Sequence, residues 1–196
     1  MIAENSDIVA LTAQADIHRL YVRVIQPALA ELAPTGDVVG EATDIDEYLE
    51  GARINTHNSL CHELRRTFAL ILGALFERQL RSWLAEKLPT EKKRVEKTSW
   101  PGLIKLLDLI DSSIRVNVLM TDLENLWSVS NAVRHGNGLS ADNLLQETPQ
   151  FWDQTRMRPN MKRDLVGNMR IDDAQLERCA KAVMKFWHMA GASSVD

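Results

Sequence analysis

The 196-residue chain is poor in cysteine, glycine and proline. Its two cysteines, Cys61 and Cys179, are too few for a disulfide framework, so a reducing compartment is expected. Nine glycines and six prolines are few for a loop-rich β-sandwich or barrel. The longest apolar run, from Phe68 to Phe76, is too short to cross a bilayer, and the N-terminus has acidic residues where a signal peptide has basic ones. We therefore expect a cytoplasmic protein that makes no membrane contact.

An excess of positive charge is also absent, since the formal net charge is −4. Proteins that coat nucleic acid through bulk charge are usually basic, so any RNA contact here would use a local patch. The sequence has no GxxxxGK[ST], GxGxxG, GxSxG or HExxH motif. P-loop hydrolysis, dinucleotide redox chemistry and zinc peptidase activity therefore have no support from the sequence.

Apolar residues recur at intervals of three and four along most of the chain, which predicts an all-α bundle of five or six helices. Residues 1–36 form an N-terminal helix that packs on the bundle, with Pro27 as the point where it kinks or ends. Residues 44–196 form the main helical domain. A long central helix, capped by Asp44 or Asp46 and buried around residues 70–75, is expected within it, and Gly51 is a candidate break.

The segment NLWSVSNAVRHGNG carries the most chemistry in the sequence. Asn131 and His135 are four residues apart and share one helix face, while Arg134 points to a different side. An imidazole exchanges protons near neutral pH and a guanidinium stabilises a charged phosphorane. His135 is therefore a candidate acid–base residue for phosphodiester cleavage, with Asn131 orienting it or the phosphate and Arg134 supplying positive charge. The alternative interpretation is an ordinary helix end stopped by glycine, with His135 as a capping residue and Arg134 solvated.

The order of these segments resembles the HEPN family of small α-helical proteins. The matching parts are the apolar helix with Glu77 (ALILGALFERQLRSWL), the helix ending SNAVRHGNG, and the closing helix IDDAQLERCAKAVMKFW. Many members are metal-independent endoribonucleases of toxin–antitoxin, abortive-infection and CRISPR systems, and they usually act as dimers with sites built from both subunits. The resemblance implies a homodimeric, RNA-cleaving protein of bacterial antiviral defence or a toxin–antitoxin system, without metal or cofactor.

The family motif is an Arg, four to six further residues, and a His, and the residue after the Arg is often Asn. On this sequence the His corresponds to His135 and the Asn to Asn131, so the Arg should fall at residues 128–130. None of these is Arg, and the neighbouring guanidinium is that of Arg134. The departure favours an alternative, a non-catalytic HEPN-like module that binds a protein or nucleic-acid partner. A purely structural helical adaptor is a third reading.

A locally basic stretch without helical periodicity follows the His135 turn, over residues 148–170. It is a candidate for binding RNA phosphates, and Phe151 and Trp152 are the aromatic residues there for base stacking. A solvated loop is the alternative interpretation. The basic residues proposed to contact RNA are Arg156, Arg158, Lys162 and Arg163.

Two further groups of residues compete for a functional role. Arg53 and His57 are four apart and could be a displaced motif or an exposed polar turn. His57 and Cys61 could bind zinc, but a structural site needs about four ligands and no second pair has suitable spacing, so we expect no metal. The central helix also carries a possible basic stripe, whose members are expected instead to pair with acids such as Glu63 and Glu77. The stripe consists of Arg65, Arg66, Arg78 and Arg81.

Overall fold

The computed structural model describes residues 5–36, 42–110, 119–152 and 164–192. Within these ranges all regular structure is helical and no strand is present, which confirms the predicted all-α fold. The helices in chain order are α1 (Asn5–Leu20), α2 (Gln26–Glu31), α3 (Ile45–Lys87), α4 (Lys92–Lys97), α5 (Trp100–Leu107), α6 (Leu119–His135), α7 (Leu139–Glu147), α8 (Leu165–Asn168) and α9 (Asp173–Ala192).

The four long helices α1, α3, α6 and α9 form the bundle and share one apolar core. Helix α6 runs antiparallel to α3. In its first half Trp127 stacks on Trp100, which packs on Phe76 of α3, whereas Asn137, just after its end, binds Val166, next to the Gly167 carbonyl that Arg66 of α3 binds. The short helices α4 and α5 connect α3 to α6, and α7 and α8 connect α6 to α9.

Helix α9 runs parallel to α3, and α1 runs antiparallel to both α3 and α9. At the start of α9, Asp173 pairs with Arg65 of α3, and further along Phe186 packs edge-on against Phe76. Helix α1 has the opposite direction, since its early residue Ala10 lies against Gly191 near the end of α9. The N-terminal helix is thus part of the common core.

The first helix is interrupted by one π-helical turn, Tyr21–Ile25, before it continues as α2. The N–H of Gln26 donates to the carbonyl of Tyr21, five residues earlier. Pro27 has no N–H and its ring would clash with the carbonyl four residues back, so a wider turn before it relieves both problems. The helix does not end at Pro27, one of the two outcomes predicted from the sequence, but continues to Glu31 after the irregular turn.

Helix α3 is the long central helix. Its N-cap is Asp44, whose carboxylate accepts the Glu47 N–H at 2.9 Å, as predicted. The 43-residue helix continues through Gly51 without a break, so the predicted interruption there is wrong. One interior glycine costs a helix only about 1 kcal/mol, which a helix of this length tolerates. Among the described residues no helix is long and apolar enough to span a membrane.

Three arginines of α3 bind carbonyl groups at the ends of short helices. Arg65, which is 3% exposed, donates from Nη1 to Leu32 O (3.2 Å) at the end of α2. Its Nε donates to the carboxylate of Asp173 (2.7 Å) at the start of α9. Helix ends leave their last carbonyls without intrahelical partners, so a buried guanidinium from α3 satisfies groups that the bundle hides from water.

Arg66 makes the equivalent contacts at α8. Its Nη1 donates to Gly167 O (3.0 Å) and Met169 O (2.9 Å), while Nε and Nη2 bind Glu63. Arg66 is itself 4% exposed, so these carbonyls and the carboxylate replace water around a buried charge. The expected pairing of the central-helix arginines with Glu63 is confirmed.

Arg81 repeats the pattern at α4. Its Nη1 donates to Val95 O (2.6 Å) and its Nη2 to Thr98 O (2.9 Å), and the same guanidinium binds the Glu77 carboxylate at 2.7 Å. The expected pairing with Glu77 is confirmed as well. Since these arginines are engaged within the fold, they do not form a free basic stripe along α3.

Helices α3 and α6 approach most closely where Gly73 faces Ser130. A Cβ at Gly73 would lie 2.6 Å from Ser130 Cβ and 2.8 Å from its Oγ. We expect Gly73→Ala to destabilise the protein by about 1–3 kcal/mol through overpacking, although alanine is the better helix former. Urea denaturation of the two proteins measures this difference.

The same experiment in a Ser130→Gly background tests the cause. Removing the serine side chain opens space for the added methyl group, so the penalty of Gly73→Ala should shrink there. Equal penalties in the two backgrounds would show that Gly73 and Ser130 are not in this close contact.

The Cys179 thiol on α9 links stability to pH. Burial raises its pKa from 9.0 to about 12, and the nearby Asp122 carboxylate adds to the shift. A folded pKa above the unfolded one means that the thiol's contribution is complete below pH 9 and is lost as pH rises toward 12. Between pH 7 and pH 10 we expect the wild type to lose about 1.4 kcal/mol more unfolding free energy than Cys179→Ala. Urea denaturation at both pH values tests this, and equal losses would contradict it.

Candidate functional site at the end of α6

The C-terminus of α6 stops at His135, as the glycine-rich turn after it predicted. Gly136 has a φ of +71°, in the left-handed region that glycine adopts without strain, and its N–H donates to Ala132 O at 2.9 Å. We call Arg134, His135 and Gly136 the α6 end. The backbone of this end is therefore a regular helix terminus with one fixed exit direction.

The turn after Gly136 is fixed to α8. The side-chain Oδ1 of Asn137 accepts the Val166 N–H at 2.9 Å, and its Nδ2 donates to Asp164 Oδ1 at 3.2 Å. Asp164 also caps α8 by accepting the Gly167 N–H. These contacts join two segments that are 29 residues apart and attach the turn after α6 to α8, which Arg66 of α3 also binds.

Asn131, one turn before His135, is used to join α6 to α7. Its amide nitrogen donates to Ser140 Oγ at 2.8 Å. The sequence assigned this asparagine to orienting His135 or a phosphate, and it did not indicate the contact with Ser140. The amide nitrogen is thereby engaged, and the contact keeps the turn between the two helices short.

Arg134 belongs to a charged cluster shared with α3. Its Nη1 lies 3.7 Å from Glu77 Oε2, while Glu77 Oε1 accepts from Arg81 at 2.7 Å. The Glu77 side chain is 17% exposed and that of Arg134 is 41% exposed. One half-buried carboxylate therefore faces two guanidiniums, and the cluster retains a net positive charge on its solvent side.

His135 is exposed, and its ring has no hydrogen bond to a described residue. The imidazole and the Arg134 guanidinium are thus the two titratable or charged groups that the α6 end presents to solvent. An exposed ring is free to meet a ligand or a second protein molecule, whereas a ring engaged with the core would not be.

The positions where the family motif would have its arginine are largely part of the core. Val129 is 3% exposed and Ser130 is 2% exposed, and Ser130 faces Gly73 of α3. A guanidinium at residue 130 would have to lie in the narrowest part of the α3–α6 contact. Close packing of α6 on α3 therefore requires a small residue at position 130.

The predicted RNA-binding residues Arg156, Arg158, Lys162 and Arg163 lie outside the described residues. The flanks of that stretch are described and are attached to the core. Trp152 donates from Nε1 to Leu165 O at 2.8 Å, and the Arg170 N–H donates to Phe151 O at 2.7 Å. Phe151 and Trp152 are both buried, so neither ring is available for stacking on a base.

The Arg53 and His57 pair does not form a second motif site. Arg53 pairs with Glu50 on the exposed face of α3, and the His57 Nε2 lies 3.1 Å from Ala33 O. The same nitrogen is 3.4 Å from the Sγ of the fully buried Cys61. Among the described residues no group of three or more His, Cys, Asp or Glu side chains could bind a metal ion.

Two clefts formed by described residues lie away from the α6 end. One of about 500 Å³ opens beside the start of α9 and is lined by Arg65 and Asp173, and one of about 270 Å³ lies between α1 and Arg78 of α3. Neither is lined by Arg134 or His135. Arg134 and His135 are both exposed, so a macromolecule has access to the two side chains.

Comparison with known proteins gives no match to a family model, a curated protein or a solved structure.

The left-handed turn at Gly136 gives a direct test of the α6 end. An alanine there would be strained at φ +71°, although its Cβ would meet no other atom, so Gly136→Ala should destabilise the protein by about 1–2 kcal/mol. Gly138 is the control, because its backbone is extended and its surroundings are equally open. Thermal denaturation should show a lower midpoint for Gly136→Ala than for Gly138→Ala. Equal midpoints would contradict the left-handed turn.

Proposed function

We propose that the chain is a HEPN-like protein that binds RNA at the α6 end and cleaves it without a metal ion. The observation that supports this most directly is that an exposed imidazole and an exposed guanidinium are adjacent in sequence at a helix end that contacts α3, α7 and α8. The resemblance to HEPN proteins in three helical segments supports the same function.

In this mechanism the His135 imidazole removes the proton from a ribose 2′-hydroxyl. The 2′-oxygen attacks the adjacent phosphorus, the bond from phosphorus to the 5′-oxygen breaks, and the leaving oxygen receives a proton from the imidazolium. The Arg134 guanidinium stabilises the charge of the phosphorane between these events. The products are a 2′,3′-cyclic phosphate and a 5′-hydroxyl, and Asn131 contributes by keeping α6 and α7 in place.

The proposal includes a homodimer in the cytoplasm of a bacterium, as part of an antiviral defence or toxin–antitoxin system. In the HEPN family the sites combine residues of both subunits. An exposed His135 is compatible with a site completed by the α6 end of a second copy, which would bring two imidazoles together.

A specific observation favours a second candidate function, a non-catalytic HEPN-like module that binds RNA or a protein partner. Residue 130, where the family arginine is expected, is a serine buried against Gly73. A site without that arginine would bind the same partner through the α6 end and leave it intact.

Cleavage of bulk RNA in the presence of EDTA separates the two candidates. We expect the wild type to cleave and to leave cyclic phosphate ends, and we expect His135→Ala to lose about 10²–10⁴-fold of the rate, the usual contribution of an acid–base residue. Arg134→Ala should also be slower because the phosphorane loses its counter-charge. Gel analysis of end-labelled RNA measures all three.

His18→Ala is the matched control, because it removes another exposed imidazole, on α1. Its rate should equal that of the wild type. Equal rates for the wild type and His135→Ala would exclude His135 from the mechanism. RNA binding that depends on Arg134, without any cleavage, would select the non-catalytic module.

A further inference from the structure

Helix α4 and its flanks form a basic segment in the part of the chain that the structure describes. Residues 87–97 contain five basic and two acidic residues, a formal charge of +3 in a chain whose net charge is −4. Arg94 pairs with Glu91 at 3.3 Å. Lys92, Lys93 and Lys97 are exposed and form no ion pair with a described residue. We call residues 87–97 the α4 surface.

Arg81 attaches the α4 surface to the candidate site. Its guanidinium donates to Val95 O and Thr98 O at the end of α4 and also binds Glu77, which faces Arg134. Lys97 directly precedes Thr98, so it lies beside this network. Lys93 is one turn earlier, on the same face of α4 as Lys97.

We propose that the α4 surface binds the phosphate backbone of single-stranded RNA and leads it to Arg134 and His135, an inference that rests on the proposed function. Lysines that have no carboxylate partner gain most from a phosphate ligand, because binding releases counterions from the RNA. The α4 surface is continuous with the α6 end through Arg81 and Glu77. A single strand that contacts both would place a phosphodiester at the imidazole.

The test is RNA affinity measured by fluorescence anisotropy as a function of salt, with a 2′-O-methyl oligouridylate that has no 2′-hydroxyl to react. At 0.1 M salt, loss of one phosphate contact should weaken binding about fivefold and lower the salt slope by about 0.7. We expect at least this effect from Lys97→Glu and from Lys93→Glu. Both lysines are exposed, so unchanged thermal midpoints should show that the fold is intact.

Arg53→Glu is the control with the same change of charge. It lies on α3 about 36 Å from Glu77 along the helix axis, and its affinity should stay within about twofold of the wild type. An equal loss in Arg53→Glu and Lys97→Glu would overturn the inference, because net charge alone would then explain binding.

The remaining outcomes separate this inference from the proposed function. Binding that requires Arg134 but is indifferent to Lys97→Glu and Lys93→Glu would overturn the α4 surface and leave the proposed function standing. Binding of polyglutamate, weakened by Lys97→Glu, with no binding of the oligouridylate would make the α4 surface a protein-binding site and overturn both. A wild type that binds no RNA would also overturn both.

Discussion

The bundle depends on a repeated interaction in which a guanidinium of α3 binds the carbonyl groups at the end of a short helix. Helices of four to six residues are unstable alone, and their last carbonyls have no partner within the helix. Arg65, Arg66 and Arg81 supply that partner to α2, α8 and α4 respectively. Because all three arginines project from one continuous helix, the position of each connecting segment is fixed relative to α3.

This interaction changes how positive charge on the chain should be interpreted. Three of the four arginines that could form a basic stripe are hydrogen-bonded to carbonyls and carboxylates within the fold. The charge left for a ligand is that of exposed residues, chiefly Arg134, Lys92, Lys93 and Lys97. Arg81 both stabilises the fold, by binding the end of α4, and contacts the candidate site, because it binds the same Glu77 carboxylate as Arg134.

Local signals in the sequence predicted local structure well. The apolar periodicity predicted the all-α class, Asp44 was one of two predicted caps at the start of α3, and the glycine after His135 predicted the end of α6. The helix break predicted at Gly51 is wrong, because a single glycine destabilises a helix only weakly and a helix as long as α3 tolerates that cost. Each of these features depends on residues within one or two turns of each other.

The partners of the buried arginines could not be predicted in the same way. Arg66 binds carbonyls 101 and 103 residues away, and Arg65 binds Asp173 across 108 residues. Only the pairings one helical turn apart, Arg66 with Glu63 and Arg81 with Glu77, were accessible from spacing. The contact between Arg134 and Glu77 also joins residues far apart in the sequence. The sequence therefore identified Arg134 and His135 as candidates but could not predict which residues surround them.

Residue 130 cannot be an arginine because α6 lies so close to α3 at Gly73 that a large side chain has no room there. Where Ser130 meets Gly73, any side chain much larger than serine would push α6 away from α3. A guanidinium on this side of α6 therefore has to lie nearer the helix end, where the side chains reach solvent. Arg134 is one turn beyond Ser130, on the same face, and its guanidinium reaches the Glu77 carboxylate. Close packing between the two helices and a positive charge beside His135 are thus compatible, because the small Ser130 lies in the contact and Arg134 lies one turn nearer the helix end.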